Sequence, residues 1–160
     1  MEDLVVIKGP NNSLHPATEE DAARIARYKL GQGINVKTTA LAAHNLLFHK
    51  KMIMLFKLCF DFFSEQVDAG LQYKGQVVKP SFDLFRKELT ILSGHYEAHH
   101  SLNGTLRVEA KSISFKNRSD EEKEKIFSDV INAALRHVYR SALPEQELRN
   151  RVDQLMAFDS

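Results

Sequence analysis

Three of the seven histidines in this 160-residue chain fall between His95 and His100. On an extended strand His95, Glu97 and His99 share one face at two-residue spacing, and neighbouring imidazoles so placed can chelate a metal ion. A tetrahedral site needs further ligands and no fourth one is evident. These residues are therefore read as a solvated strand face, and no metal is assigned. His44 and His49 lie five residues apart, which on a helix turns them about 140° from each other, too far to share an ion. The single cysteine, Cys59, sits among apolar neighbours, where a thiolate is costly to form, and is read as a packing residue. No Gly-x-Ser-x-Gly elbow, phosphate loop or dinucleotide fingerprint occurs, and Gly31-Gln-Gly33 follows a helical segment instead of a strand. Asp83, Glu88, Glu97 and Glu109 are the carboxylates a metal-dependent nuclease would recruit, but no spacing singles them out. No catalytic residue and no cofactor is assigned.

The stronger constellation is cationic. Asn45-x3-His49-Lys50-Lys51 opens an apolar helix, Lys37 precedes it, and Arg107, Lys111, Lys116 and Arg118 lie on and just beyond a later hairpin. Lys and Arg attract phosphate, while Asn and His donate hydrogen bonds to phosphate or sugar. Trp is absent and the tract lacks aromatics at base-stacking spacing, so contact is expected with the nucleic-acid backbone and not with base sequence. From Ala22 to Phe60 there is no Asp or Glu, yet the stretch carries Arg24, Arg27, Lys29, Lys37, Lys50, Lys51 and Lys57. The whole chain holds 22 basic against 21 acidic residues, so the remainder is net acidic. Two outcomes stay open: the segment forms a positive surface, or carboxylates from elsewhere fold against it and neutralise it. Taken alone, Lys50-Lys51 also fits an ordinary solvated helix turn.

The elements that must position these side chains follow from local pattern. Leu4 to Lys8 is a β-branched run ended by Gly9-Pro10-Asn11-Asn12, and Ser13-Leu14-His15 can return beside it. Thr18 caps a helix with Glu19, Glu20 and Asp21 in its first turn, Arg27 and Lys29 in its last, and Gly31 as its stop. Ile34, Val36, Thr38 and Ala40 alternate with polar residues, which predicts a strand. From about Ala42 to Val67 the pattern is helical and apolar over most of its circumference, with Lys50, Lys57, Asp61 and Ser64 on one narrow polar stripe. Such a helix must be central in the core or cover a second subunit, and a homodimer is expected. Residues 76–79 are at most a short edge strand after the loop 68–75. Ser81 caps a helix with Phe82, Phe85, Leu89 and Leu92 in register, closed by Gly94. Two alternating runs then flank Asn103-Gly104. A three-residue loop with Gly104 as the bulge aligns Tyr96, Ala98 and His100 with Leu106, Val108 and Ala110, making one apolar face; a two-residue turn would mix the faces. Ser119-Asp-Glu-Glu122 is a capping box opening a helix with a Phe127, Val130, Ile131, Ala134, Leu135, Val138 stripe. Pro144 interrupts, and Leu148, Val152, Leu155 and Met156 mark a terminal helix.

Composition narrows the class. A chain of this length and apolar content forms one domain, 1–160, with no room for two full cores. Near-neutral charge excludes a histone-like or acidic-tail protein, and one cysteine excludes a disulfide framework. In its most apolar region the longest unbroken apolar run is Met52 to Phe56, far short of the roughly 20 residues that cross a bilayer, and residues 1–8 lack a secretory signal pattern. No membrane association is expected. The order of elements reads as α+β.

Several segments resemble a family. His44-Asn-Leu-Leu-Phe-His-Lys-Lys51 before an apolar helix resembles the Arg-Asn-x-x-Phe-His-Arg/Lys-Lys-Phe-Phe signature of a phage and prophage family, domain of unknown function 1367. Ser81-Phe-Asp-Leu-Phe-Arg86, Gly94-His-Tyr-Glu97, Lys111-Ser-Ile-Ser-Phe115 and Pro16-Ala-Thr-Glu19 continue the likeness in the same order. His44 stands where that pattern has Arg, Met52-Ile53 where it has Phe-Phe, and Asn117-Arg118 where it has Ala/Lys-Met. The layout is also similar to the NinB/Orf recombination mediators of lambdoid phages, which are dimers that bind DNA and work with single-strand binding protein. This similarity of layout implies a DNA-binding accessory protein of phage recombination or replication, acting non-catalytically on single-stranded or gapped DNA in the cytoplasm of a bacterial host. Its expected contacts are Lys37, Asn45, His49, Lys50, Lys51, Arg107, Lys111 and Lys116, and a host protein such as single-strand binding protein is an expected partner. The alternatives are a protein-binding module that redirects a host factor, such as a defence system, and a metal-dependent nuclease.

Overall fold

The computed structural model describes residues 4–38, 40, 43–67, 70–113 and 118–158, with only the backbone of residues 43 and 44. Four helices form the core and three small hairpins sit around them, so the architecture is α+β. Each hairpin is a separate two-stranded antiparallel sheet. The first pairs β1 (Val6–Lys8) with β2 (Leu14–Pro16), placing Ile7 opposite His15. Its connection holds Asn11 and Asn12 at positive φ, a conformation that the short side chain of Asn tolerates.

Thr18 then starts α1 (Glu19–Ile25), its hydroxyl accepting from the Asp21 N–H at 3.1 Å. The expected run to Gly31 does not occur. The helix ends at Ala26 because residues 26–38 are exposed throughout, and a helix with no buried face gains nothing from continuing. The strand expected over Ile34 to Ala40 is also absent among the described residues of that stretch. Ile34 and Val36 point to solvent, since an alternating pattern without a neighbouring strand leaves its ladder unpaired.

The long helix α2 (Ala43–Gln66) runs through the centre, and α3 (Phe82–Leu92), α4 (Asp120–His137) and α5 (Glu145–Phe158) pack against it. Met52, Leu55, Phe56 and Cys59 are buried on α2. Phe85 and Leu89 meet them from α3, Phe127, Val130, Ile131 and Ala134 from α4, and Leu148 and Val152 from α5. Phe60 on α2 packs edge-on against Phe82 and Phe85 of α3, with ring centroids 5.4 and 5.5 Å away. Three helices thus bury much of α2, while Leu47 stays 59% exposed and Met54, Leu58, Phe60, Phe62 and Phe63 are only partly buried. Ser81 caps α3, and the Ser119–Glu122 capping box opens α4 as its spacing predicts. No helix of the described residues is long and apolar enough to cross a membrane.

A second hairpin, β3 (Gln72–Tyr73) with β4 (Gln76–Val77), turns through Lys74 and Gly75, both at positive φ as a two-residue hairpin turn requires. The third pairs β5 (Tyr96–His100) with β6 (Leu106–Ala110) in the bulged register, Ala98 opposite Val108, with Gly104 at φ 78°. Its apolar face is not inward, however. Leu106 is 70% exposed and Tyr96 and Val108 also reach solvent. The register follows from the turn, whereas burial depends on what packs on the face.

Candidate nucleic-acid surface

The basic helix start is largely folded inward. Asn45 and His49 are each 2% exposed, which corrects their assignment as phosphate contacts: neither side chain can reach a nucleic acid. The His49 imidazole Nε2 lies 3.4 Å from Asp21 Oδ2, and the same carboxylate accepts from the Thr18 hydroxyl at 2.7 Å and from the Val5 N–H at 3.2 Å. This knot joins the residue before β1, the cap of α1 and the first turns of α2. Burial alone would raise the Asp21 pKa, but hydrogen bonds from His49, Thr18 and the Val5 backbone outweigh it and hold the carboxyl below its ordinary value.

Lys51 is also engaged. Its Nζ lies 3.6 Å from Asp153 on α5 and 4.3 Å from the centre of the Phe127 ring, so the cation seats α5 and α4 against α2. Lys50 is half-buried and lines a groove of about 370 Å³ with Lys57 and Asp61 above Ile53 and Leu58. Carboxylates from outside the acid-free stretch pair with several of its cations. Arg24 and Arg27 reach Asp83 at 3.5 and 3.3 Å, Arg24 reaches Glu20 at 3.4 Å, and Lys57 reaches Glu19 at 3.1 Å. Desolvation opposes the ionisation of Asp83, yet the Arg24, Arg27 and Arg86 charges together hold its pKa below the ordinary value. Lys37 and Lys111 remain exposed, far apart in the chain, and Arg107 is exposed but paired with Glu109 at 2.8 Å. Lys116 lies outside the described residues, and Arg118 donates to the carbonyls of Ser112 and Ile113. Of the described expected contacts, Asn45 and His49 are therefore turned into the core and Lys51 is held on α5.

The histidines of the third hairpin are likewise placed. His95 Nε2 sits 3.1 Å from Asp129 on α4, and His99 Nε2 lies 3.7 Å from Glu97. Among the described residues no group of three or more His, Cys, Asp or Glu is arranged to hold a metal ion.

One cationic element does stand free of carboxylates along the chain. No Asp or Glu occurs between Asp68 and Asp83, and within that stretch the β3–β4 hairpin projects with all of residues 70–81 exposed. Tyr73 is 68% exposed, with Lys74 Nζ 5.4 Å from its ring centre and Gln76 opposite it across the ladder, and Lys79 is exposed further along the same segment. A flat aromatic ring beside long-stemmed cations and amide side chains can take a base on its face and phosphates at its edge. Lys79 is four residues from Asp83, so at most about 14 Å of chain separates Lys79 from the Arg24–Arg27–Arg86 cluster. The local signal was present in the sequence as an acid-free Tyr-Lys-Gly turn. It stayed hidden because two-residue strands leave too short an alternation to see.

No curated protein and no solved structure matches this chain. Residues 65–158 do match a family, described as "Protein of unknown function (DUF1367)", so that α3, the second and third hairpins, α4 and α5 are covered while His44–Lys51 is not. That span is more than half of the 160 residues, and the chain belongs to the DUF1367 family.

Proposed function

We propose that this protein is a DNA-binding accessory factor of phage or prophage recombination or replication that grips DNA by its backbone and carries out no reaction on it. The observation that supports this reading is the exposed, acid-free segment 70–81, in which the β3–β4 hairpin carries Tyr73 and Lys74 and is followed by Lys79. Its cations supply sequence-independent attraction through counterion release, and its tyrosine supplies a stacking face for an unpaired base. The surface differs from the one expected at the start of α2, where Asn45 and His49 are buried and Lys51 is held by Asp153.

The test is fluorescence anisotropy with labelled single- and double-stranded oligonucleotides over a salt series, with and without magnesium. Lys74→Glu with Lys79→Glu is expected to weaken binding to all sequences and to flatten the log–log salt slope on single strands by about 1.4, from roughly 0.7 per lost phosphate contact. Both side chains are exposed, so the fold should be unchanged. A folded double variant that binds as tightly as wild type would sink the reading. Cleavage in magnesium would turn it toward a nuclease. Absence of any binding would favour the protein-binding module, for which the exposed Leu102, Leu106 and Tyr96 of the third hairpin speak.

A further inference from the structure

Among the described residues the third hairpin has an open edge whose chemistry matches itself. The Lys111 N–H donates to the His95 carbonyl at 3.0 Å, and the Ser101 N–H to the Thr105 carbonyl at 2.9 Å. These two bonds set the phase of the ladder. His95, Glu97, His99 and Ser101 turn their backbone groups toward β6, so Tyr96, Ala98 and His100 turn theirs outward. All five residues of β5 are exposed, and the strand carries neither Pro nor Lys to guard its edge. On the other side of the hairpin α3 packs against β6, which is also the one strand paired with β5 among the described residues.

The side chains specify what fits there. Within one hairpin Glu97 stands opposite Glu109 and His99 opposite Arg107, so the polar face is divided into a carboxylate row and a histidine–arginine row. Like charges directly opposite each other are unfavourable in a sheet. A second β5 laid antiparallel about a two-fold axis at Ala98 answers both rows. Ala98 then faces Ala98 of the second copy, Tyr96 faces its His100, and Glu97 faces its His99. The three outward residues of each strand form hydrogen-bonded pairs, and each carboxylate row continues into a histidine–arginine row that can donate to it.

We propose that the protein dimerises by edge-to-edge pairing of β5 with β5 of a second copy, making one four-stranded antiparallel sheet. The pairing also brings the two exposed apolar faces, with Tyr96, Leu106 and Val108, into one continuous surface. It does not depend on the nucleic-acid reading, which concerns a different hairpin.

Light scattering across micromolar to millimolar concentrations, together with amide hydrogen exchange on the wild-type chain, tests this. The expected result is a mass that doubles with concentration while the Tyr96, Ala98 and His100 amides slow at least about tenfold; those of Glu97 and His99 are slow throughout. Glu97→Lys should weaken dimerisation about 2- to 30-fold, because two symmetry-related cross-strand pairs are lost. Adding His99→Glu should restore it, since each introduced lysine then faces the introduced glutamate of the second copy. A chain that remains monomeric overturns the proposal and leaves this edge to a strand of another protein. A dimer whose Tyr96, Ala98 and His100 amides still exchange fast also overturns it, by placing the contact elsewhere. So does a Glu97→Lys dimer as tight as wild type.

Discussion

Replacing Asp21 with Ala removes the one acceptor shared by the Thr18 hydroxyl, the Val5 N–H and the His49 ring. Asp21 is fully buried and His49 nearly so. The loss therefore leaves polar groups without their carboxylate partner inside the protein, in a setting where breaking a buried charged contact costs about 3–5 kcal/mol. That is a large part of the roughly 5–15 kcal/mol that holds a domain folded. For a chain of this length each kcal/mol moves the melting temperature by about 2–4 °C, so Asp21→Ala should melt roughly 6–20 °C lower. Asp21→Asn keeps the shape and one acceptor oxygen and should cost less. The assay is urea denaturation followed by circular dichroism, where the midpoint should fall with the slope unchanged. The pH dependence has a definite sign. The folded protein holds this carboxyl below its ordinary pKa of 3.8, so the stabilisation is fully present above that value and fades as pH falls through the lower folded-state value. The Asp21 contribution to the gap between wild type and Asp21→Asn should therefore fade as pH falls below about 4. A loss under about 1 kcal/mol for Asp21→Ala at neutral pH would refute the role of this knot in fastening the N-terminal segment to α2.

Two further outcomes are expected. Gly104→Val should lower stability by about 1 kcal/mol or more, because φ 78° strains a β-branched residue although open space surrounds the added Cβ; an unchanged melting curve would mean that the turn is not held in that conformation. Burial pushes the Cys59 thiol up to about 12, so iodoacetamide at pH 8 should leave the native protein unlabelled and modify it in urea; rapid native labelling would show that the α2–α4–α5 core opens readily.

Much of the local structure was legible because its causes are local. Thr18, Ser81 and Ser119 each accept a hydrogen bond from a backbone N–H three residues on, so cap and helix start lie within a few residues of one another. The hairpin register was readable from the face alternation around Gly104. The extent of α1 was not, because its charge pattern continues past Ile25 while its buried contacts do not. The alternation from Ile34 to Val36 looked like a strand in the same way, but no partner strand lies beside it among the described residues. The candidate site suffered most. A basic helix start with Asn and His reads as a phosphate surface only while Asp21 and Asp153 are counted by their distance along the chain.

Where α1, α3 and α4 begin, which turn closes the third hairpin, and that α2 is too apolar to lie on a surface all follow from residues within a turn or two of one another. What covers α2, which cations are neutralised and which hairpin faces stay open depend instead on long-range packing. Those outcomes turn on pairs such as His49 with Asp21 and Lys51 with Asp153, which are distant in sequence and meet only when α1 and α5 dock on α2. Charge pattern along a chain records how many carboxylates and cations there are, while burial and pairing, which set their electrostatic effect, exist only after packing.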